Sequence, residues 1–200
     1  IAEFWRRWHI SLSSWFRDYL YIPLGGSRGS SWIKVRNIFV IFIVSGFWHG
    51  ANWTFIIWGL LNAIFFLPLL ILRKNRTYLN TVAEDRIIPS ISEVSRIVGT
   101  FILVTFSWIF FRSPSVTDAF NYISVLCSES LFNQPELLPA GLLFILGLFI
   151  IAEWCIRKEE LPLIMMKTKY VVSTTLTCIV IWAIILWAPS SNKEFIYFQF

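Results

Sequence analysis

Residues 37–72 read NIFVIFIVSGFWHGANWTFIIWGLLNAIFFLPLLIL and contain no Asp, Glu, Lys or Arg. A helix needs about 20 consecutive apolar residues to cross a bilayer. The run is long enough for two helices, and Gly50 and Asn52 supply a turn between them. We therefore predict a short helical hairpin in the membrane, with residues 37–49 as its shorter first arm and residues 53–72 as its second.

The composition of the whole chain supports a membrane protein. Hydrophobic residues make up 56% of the chain and charged residues 14%, whereas a typical soluble domain carries about 25% charged residues. Three further stretches, residues 94–111, 137–156 and 170–188, are predicted to cross the bilayer. They are apolar all round, as expected of helices that face lipid and other helices. The predicted fold class is an all-α, multi-pass helical bundle.

Basic residues predict the orientation of this bundle. Lys and Arg number three in residues 28–36, five in residues 73–96 and four in residues 157–169, against one in residues 112–136. Because cytoplasmic loops carry an excess of Lys and Arg, we expect the three basic loops in the cytoplasm. The net charge of +5 then indicates contact with anionic lipid and not with nucleic acid.

His49 is the one residue of the hairpin that can change its protonation near neutral pH. An ionisable side chain within a membrane usually faces the protein interior or a wet cavity, where it has a function. A first arm of thirteen residues rises about 20 Å, which places His49 past the midplane of the bilayer. Gly46 and Gly50 leave the backbone open to close approach, and Ser45 and Asn52 lie near enough to orient the imidazole if the helix continues. A buried histidine held by one hydrogen bond is the alternative.

The second informative segment is residues 4–21. On a helix, its aromatic and aliphatic side chains fall on one face and its arginines and serines on the other, which is typical of a helix that lies in the membrane interface. His9 falls on the aromatic face. Arg6, Arg7 and Arg17 cluster on the polar face, where they can bind phosphate or carboxylate groups. Contact with lipid headgroups is the alternative, and we expect a basic loop to follow, up to residue 36.

No metal centre is predicted. Cys127, Cys155 and Cys178 lie in apolar segments without CxxC spacing, and we interpret them as small buried hydrophobic residues. The chain begins at Ile1, with neither an initiator Met nor a signal-peptide pattern. We therefore expect it to be the C-terminal portion of a longer protein.

Several of these motifs resemble one family. The block FWRRWHISLSSWFRDYLYIPLGG (residues 4–26), followed by FWHGA (residues 47–51), resembles the membrane-bound O-acyltransferase superfamily. FSWIFFRSP (residues 106–114) and the closing FIYFQF are similar to its bacterial alginate O-acetyltransferase branch. The D-alanyl-transferring relatives that modify teichoic acids share much of the first block but resemble this chain less at residues 21–26.

The resemblance implies that residues 1–200 are the C-terminal portion of a single membrane domain of this family, incomplete as a catalyst on its own. It implies that His49 is the family's catalytic histidine and that His9 is the second histidine of the first block. A histidine base removes the proton from a hydroxyl as that hydroxyl attacks a thioester or similar acyl carbon. We expect His9 on the cytoplasmic side of the hairpin, where it positions the donor. The supporting residues are predicted to be Ser45, Trp48 and Asn52, and the donor or partner side Trp5, Trp8, Arg6, Arg7 and Arg17.

The function predicted from the resemblance is O-acetylation of an exported or cell-envelope polysaccharide in the bacterial cytoplasmic membrane. We expect no bound cofactor, because the acyl donor is a co-substrate, either a coenzyme A thioester or an acyl carrier. The expected partners are membrane lipid, the polysaccharide acceptor, an acyl carrier protein and periplasmic acetylation proteins.

Three alternatives stay open. The first is D-alanyl transfer of the teichoic-acid type. The second is a transporter component in which His49 relays protons, although residue 153 is the single acidic position in the predicted spans and lies at an edge. The third is a helical scaffold that docks partners through the basic face of residues 4–21.

Overall fold

Every regular element in the described part of the chain is a helix, which confirms the predicted all-α class. The computed structural model describes residues 1–77, 80–128 and 140–158, together with Cys178 and Trp182. The predicted helix over residues 170–188 and the closing aromatic tail therefore lie outside the described residues, apart from those two positions.

The chain divides into two compact units, Ile1–Pro135 and Glu136–Phe200. The helices of the first unit are α1 (Ala2–Arg7), α2 (Ile10–Phe16), α3 (Ser31–His49), α4 (Trp53–Ile71), α5 (Ile91–Arg112) and α6 (Val116–Leu126). A π-helical turn, Arg17–Tyr21, follows α2 directly. The second unit contains α7 (Ala140–Ile156).

Helices α3, α4 and α5 are long and apolar enough to cross a membrane, as predicted for a multi-pass protein. The predicted span at residues 94–111 corresponds to α5, which begins earlier, at Ile91. Ser90 caps it: the Ser90 hydroxyl accepts from the Glu93 N–H, and the Glu93 carboxylate accepts from the Ser90 N–H at 2.7 Å. This reciprocal capping box satisfies two backbone donors at once. The predicted span at residues 137–156 corresponds to α7, whose shorter apolar stretch is Leu143–Cys155.

The first arm of the hairpin is longer than predicted. The α3 helix begins at Ser31 because the Ser30 hydroxyl accepts a hydrogen bond from the Ile33 N–H, so Lys34 lies inside the helix. The charge of Lys34 does not end this helix, because the long aliphatic part of a Lys side chain lets the ammonium group reach the membrane interface. The 19 residues of α3 rise roughly 28 Å. His49 therefore lies at the end of a helix of membrane length, and the predicted thirteen-residue arm is wrong.

The interfacial segment over residues 4–21 is not the continuous helix that its pattern predicted. The chain leaves α1 at Trp8, and His9 takes a left-handed conformation with φ 48° and ψ 51° before α2 begins. Such a conformation is uncommon outside glycine. At the break, Trp8 packs against Trp108 of α5, with ring centroids 5.5 Å apart. Helical periodicity does not predict the break, because a local pattern contains no information about a contact with a distant residue. His9 is exposed and does not point into an aromatic face.

Close backbone contact joins α3 to α4. A β-carbon at Gly46 would overlap the carbonyl oxygen of Phe55, and a β-carbon at Gly59 would overlap the carbonyl oxygen of Phe42. Each helix therefore presents one glycine to the backbone of the other. Small residues of this kind let membrane helices approach closely enough for extensive van der Waals packing.

Trp5 fastens the first block to the hairpin. The buried hydrophobic residues form two clusters, one of Ile38, Phe42 and Ala63 and one of Trp58, Phe110 and Ala119. The Trp5 ring packs against both clusters, with its centroid 5.3 Å from that of Phe42 and 5.8 Å from that of Trp58. A single aromatic side chain therefore connects α1 with both halves of the core.

The expectation that the cysteines are buried is wrong. Cys127, Cys155 and Cys178 are all exposed. An apolar sequence in a membrane helix does not distinguish a side chain that faces lipid from one that faces the core. Among the described residues, no group of three His, Cys, Asp or Glu side chains is arranged to hold a metal ion.

We predict that Gly59→Ala destabilises the protein by about 1–3 kcal/mol, because the added methyl group forces two helix backbones apart. Thermal unfolding of the full-length protein in detergent measures this effect. Gly99→Ala is the matched control: Gly99 also lies inside a membrane helix, but nothing is within 4 Å of the position its β-carbon would take. Equal unfolding temperatures for the two variants would contradict the close contact.

Candidate active site

His49 lies at the tip of the hairpin, where the backbone changes direction. It is the last residue of α3, and Gly50 ends the helix with a φ of 156°, which residues other than glycine rarely adopt. A side chain at Gly50 would collide with the Phe55 ring, so glycine lets the chain turn tightly beside the imidazole. The α4 helix starts three residues later, with the Asn52 side chain accepting a hydrogen bond from the Thr54 N–H at 3.1 Å.

Four aromatic rings surround the imidazole, and we call them the aromatic cage. Phe111 and Trp58 contact it edge to face, with centroids 5.0 and 5.4 Å away. Phe55 lies 6.3 Å away and Trp48 5.1 Å away. The imidazole itself is half-buried. The cage fixes its plane and leaves part of it accessible, as a proton acceptor for a substrate requires.

Two buried hydrogen-bond donors lie on α4, and one of them belongs to the cage residue Trp58. Within the described part of the chain, the Thr54 hydroxyl and the Trp58 indole N–H are buried and have no hydrogen-bond partner. They are one helical turn apart on α4 and therefore share a face. Because buried polar groups are nearly always paired, these two are suited to bind an oxygen atom of a substrate. Sequence reasoning missed both, and their i, i+4 spacing ahead of a long apolar run was the available signal.

The structure places the three predicted supporting residues differently. Ser45 is buried on α3, one turn before His49. Trp48 belongs to the aromatic cage but is 54% exposed. Asn52 does not follow His49 in a continuing helix: it caps α4, and its amide donates to the Pro114 carbonyl at 3.0 Å. Its effect is to hold the hairpin tip against the turn between α5 and α6.

His9 lies closer to His49 than the sequence implied. The two imidazoles are near enough to interact electrostatically, although they are far apart along the chain. The exposed side chain of His9 stands at the break between α1 and α2. The structure therefore brings the two histidines into one region.

The predicted basic group divides in two. Arg6 and Arg17 line a cavity between the first block and the hairpin, and Trp5 lines it too. Arg7 points elsewhere and pairs with Glu3, with 2.7 Å between Nε and Oε1.

The structure also changes the predicted basic region at Trp8 and Arg76. Trp8 stacks on Phe4, with ring centroids 5.6 Å apart, and is not part of the cavity wall. Arg76, from the loop after α4, lines the cavity and was missed. The high basic count of residues 73–96 was its one signal in the sequence.

Comparison with known proteins gives this arrangement its context. The chain is 40% identical to the probable alginate O-acetylase AlgI of Pseudomonas aeruginosa over 142 residues, which are 71% of the chain and 25% of that protein. It is 40% identical to the peptidoglycan O-acetyltransferase of Helicobacter pylori over 123 residues, 62% of the chain and 22% of that protein. The teichoic acid D-alanyltransferase of Bacillus subtilis is 44% identical over 71 residues, 32% of the chain and 18% of that protein.

The chain thus spans about a quarter of the length of the curated relatives it matches. No solved structure matches it. The model of the membrane-bound O-acyltransferase family matches residues 1–111, a region that includes both histidines, the aromatic cage and the paired helices α3 and α4. Because this match covers more than half of the sequence, the chain belongs to the membrane-bound O-acyltransferase family.

Proposed function

We propose that the full-length protein is a membrane O-acyltransferase that acetylates hydroxyl groups of a cell-envelope polysaccharide, with His49 as its general base. The observation that carries this proposal is the hairpin tip, where the caged imidazole contacts the Trp58 ring and where Trp58 and Thr54 of α4 carry buried, unpartnered donors. Relatives named as an alginate O-acetylase and a peptidoglycan O-acetyltransferase support acetyl as the group and a polysaccharide as the acceptor.

The chemistry follows from what each group can accept or donate. The neutral His49 imidazole takes the proton of the acceptor hydroxyl as its oxygen bonds to the acyl carbon. The carbonyl oxygen gains negative charge, and the Thr54 hydroxyl and Trp58 N–H donate hydrogen bonds to it. When the carbonyl re-forms, the bond to the donor sulfur breaks, and the imidazolium returns its proton to the leaving thiolate. Atoms and charges balance without any further reagent.

The donor is proposed to be a thioester of coenzyme A or of an acyl carrier protein. Arg6 and Arg17 present positive charge at the opposite end of the hairpin from His49, which suits the approach of an anionic donor. His9, which is near enough to His49 to interact with it electrostatically, is proposed to orient the donor or the acceptor. In this proposal the bacterial inner membrane separates a cytoplasmic donor from an extracytoplasmic polysaccharide and its periplasmic acetylation proteins, with residues 73–96 and 157–169 on the cytoplasmic side.

D-alanyl transfer is the second candidate. The similarity to the Bacillus subtilis teichoic acid D-alanyltransferase favours it, but that similarity covers 32% of the chain, against 71% for the alginate O-acetylase of Pseudomonas aeruginosa.

Incubation of the full-length protein with labelled acetyl and D-alanyl donors distinguishes acetyl transfer from D-alanyl transfer. We expect the acetyl label in the polymer, and transfer of D-alanine alone would overturn the choice of acyl group.

We predict that His49→Ala lowers acyl transfer by the full-length protein about 10²–10⁴-fold, the contribution of a general base. Polysaccharide acetylation in a strain that carries the variant as its single copy measures this, with membrane levels checked by immunoblot. Asn121→Ala, at an exposed position on α6, serves as the control and should acetylate normally. Normal acetylation by His49→Ala would sink the assignment.

Trp58→Phe tests the proposed donors, because it removes the indole N–H and keeps an aromatic ring. We expect kcat to fall about 10²-fold with little change in KM, since the lost hydrogen bond forms fully in the transition state. Steady-state kinetics of the purified full-length protein measure both constants. The same substitution at Trp32, which is 74% exposed, should change neither, and an unchanged kcat for Trp58→Phe would remove Trp58 from the mechanism.

A further inference from the structure

We propose that Asn62 and Ser107 are positioning residues of the active site, which hold α5 against α4 and so place the cage rings around the His49 imidazole. Asn62 lies on α4 and Ser107 on α5. Their side chains are 1% and 0% exposed. This role rests on the proposed function, because it concerns how the site of that function is held in place.

Three hydrogen bonds orient this pair. The Asn62 amide donates to the Ser107 hydroxyl oxygen, with Nδ2 and Oγ 3.3 Å apart, and to the Trp58 carbonyl oxygen at 2.8 Å. The Ser107 hydroxyl donates its own hydrogen to the Val104 carbonyl oxygen, also at 2.8 Å. Both amide hydrogens and the hydroxyl hydrogen are therefore in use, so neither side chain can rotate without the loss of a hydrogen bond.

The pair lies one helical turn from two rings of the aromatic cage. Trp58 precedes Asn62 by one turn on α4, and Phe111 follows one turn after Ser107 on α5. The Trp58 and Phe111 rings meet edge to face, with centroids 5.1 Å apart, and both contact the imidazole. A shift of α5 along α4 would therefore move Phe111 relative to both Trp58 and His49.

The apolar packing around the pair does not by itself prevent such a shift. The neighbouring cluster of Trp58, Phe110 and Ala119 makes non-directional contacts. The one glycine of α5, Gly99, makes no close contact of the kind that joins α3 to α4, since nothing is within 4 Å of the position its β-carbon would take. A hydrogen bond between two buried side chains is directional, and a single buried Asn fixes helix register in this way in coiled coils.

The depth of Asn62 in the membrane favours a positioning role over a role in stability alone. Asn62 lies roughly 14 Å along α4 from Trp53, in a helix long and apolar enough to cross a membrane. Within hydrocarbon no water can replace a lost hydrogen-bond partner. The Asn62 Oδ1 is buried without a partner in the described part of the chain, which costs free energy that an apolar side chain would not. We therefore attribute the amide to the position that it imposes on α5.

Steady-state kinetics of the purified full-length protein test this role through kcat and KM. Asn62→Leu keeps the size of the side chain and removes the amide, and Ser107→Ala removes the hydroxyl. We expect each to lower kcat about tenfold and to change KM by about twofold or less, because misplaced groups slow the chemical step while substrate binding is unaffected. The reciprocal exchange, Asn62→Ser with Ser107→Asn, keeps the total volume and rebuilds the hydrogen bond with its ends reversed. It should recover most of the lost kcat.

Two further variants separate positioning from stability. The double substitution Asn62→Leu with Ser107→Ala removes both partners together, which costs little stability, so its unfolding temperature should match that of wild type while its kcat stays low. Ser95→Ala is the matched control on α5. The Ser95 hydroxyl also donates to a carbonyl three residues back, that of Ser92 at 3.0 Å, but it is exposed. Its loss should change neither kcat nor the unfolding temperature.

A wild-type kcat in Asn62→Leu and in the double variant, whatever their stability, would overturn the positioning role. A reciprocal exchange no more active than the double variant would also contradict it, because the hydrogen bond would then not be what places the rings. His49→Ala in the same assay distinguishes this failure from failure of the proposed function. Loss of acyl transfer in His49→Ala with full kcat in Asn62→Leu removes the positioning role alone, whereas a fully active His49→Ala removes the base and the positioning role together.

Discussion

The backbone contact between α3 and α4 is the constraint on which the rest of the first unit depends. Gly46 meets the carbonyl of Phe55, and Gly59 meets the carbonyl of Phe42, so the two helices touch at two points along their length. Without a hydrophobic driving force inside lipid, packing of this kind is what holds membrane helices together. The contact also sets the position of Phe55 and, through α4, of Trp58, two of the four rings around His49.

The first block depends on that hairpin for its own position. Trp5 packs on both core clusters, and the chain breaks at His9 so that Trp8 can reach Trp108. One consequence is that His9 comes near His49, and another is that Arg6 and Arg17 close a cavity over the side of the hairpin. The catalytic and the basic regions therefore share a single packing arrangement, but they use opposite ends of the hairpin.

Much of this arrangement could be predicted from local sequence, and the rest could not for identifiable reasons. A long uncharged run predicts the hairpin, and the glycines beside the histidine predict its turn. They also predict that another backbone approaches closely at Gly46. The start of α3 was missed because a charged residue such as Lys34 indicates a loop in an otherwise apolar sequence. The Ser30 cap instead starts the helix before Lys34. The break at His9 was missed because amphipathic periodicity carries no information about a tertiary tryptophan contact. Thr54, Trp58 and Arg76 gain their significance from neighbours that are distant in sequence or from an absent hydrogen-bond partner, so the spacing of the first two and the basic count around the third do not single them out.

The catalytic proposal requires that the His49 imidazole itself acts as the base at the hairpin tip. Rescue of full-length His49→Ala by added imidazole tests this most directly, because the substitution leaves a ring-sized space bordered by the aromatic cage. Acyl transfer by the variant should be restored in part and in proportion to imidazole concentration, while wild type should not respond. Transfer by His49→Ala at the wild-type rate without imidazole would show that His49 is not the base.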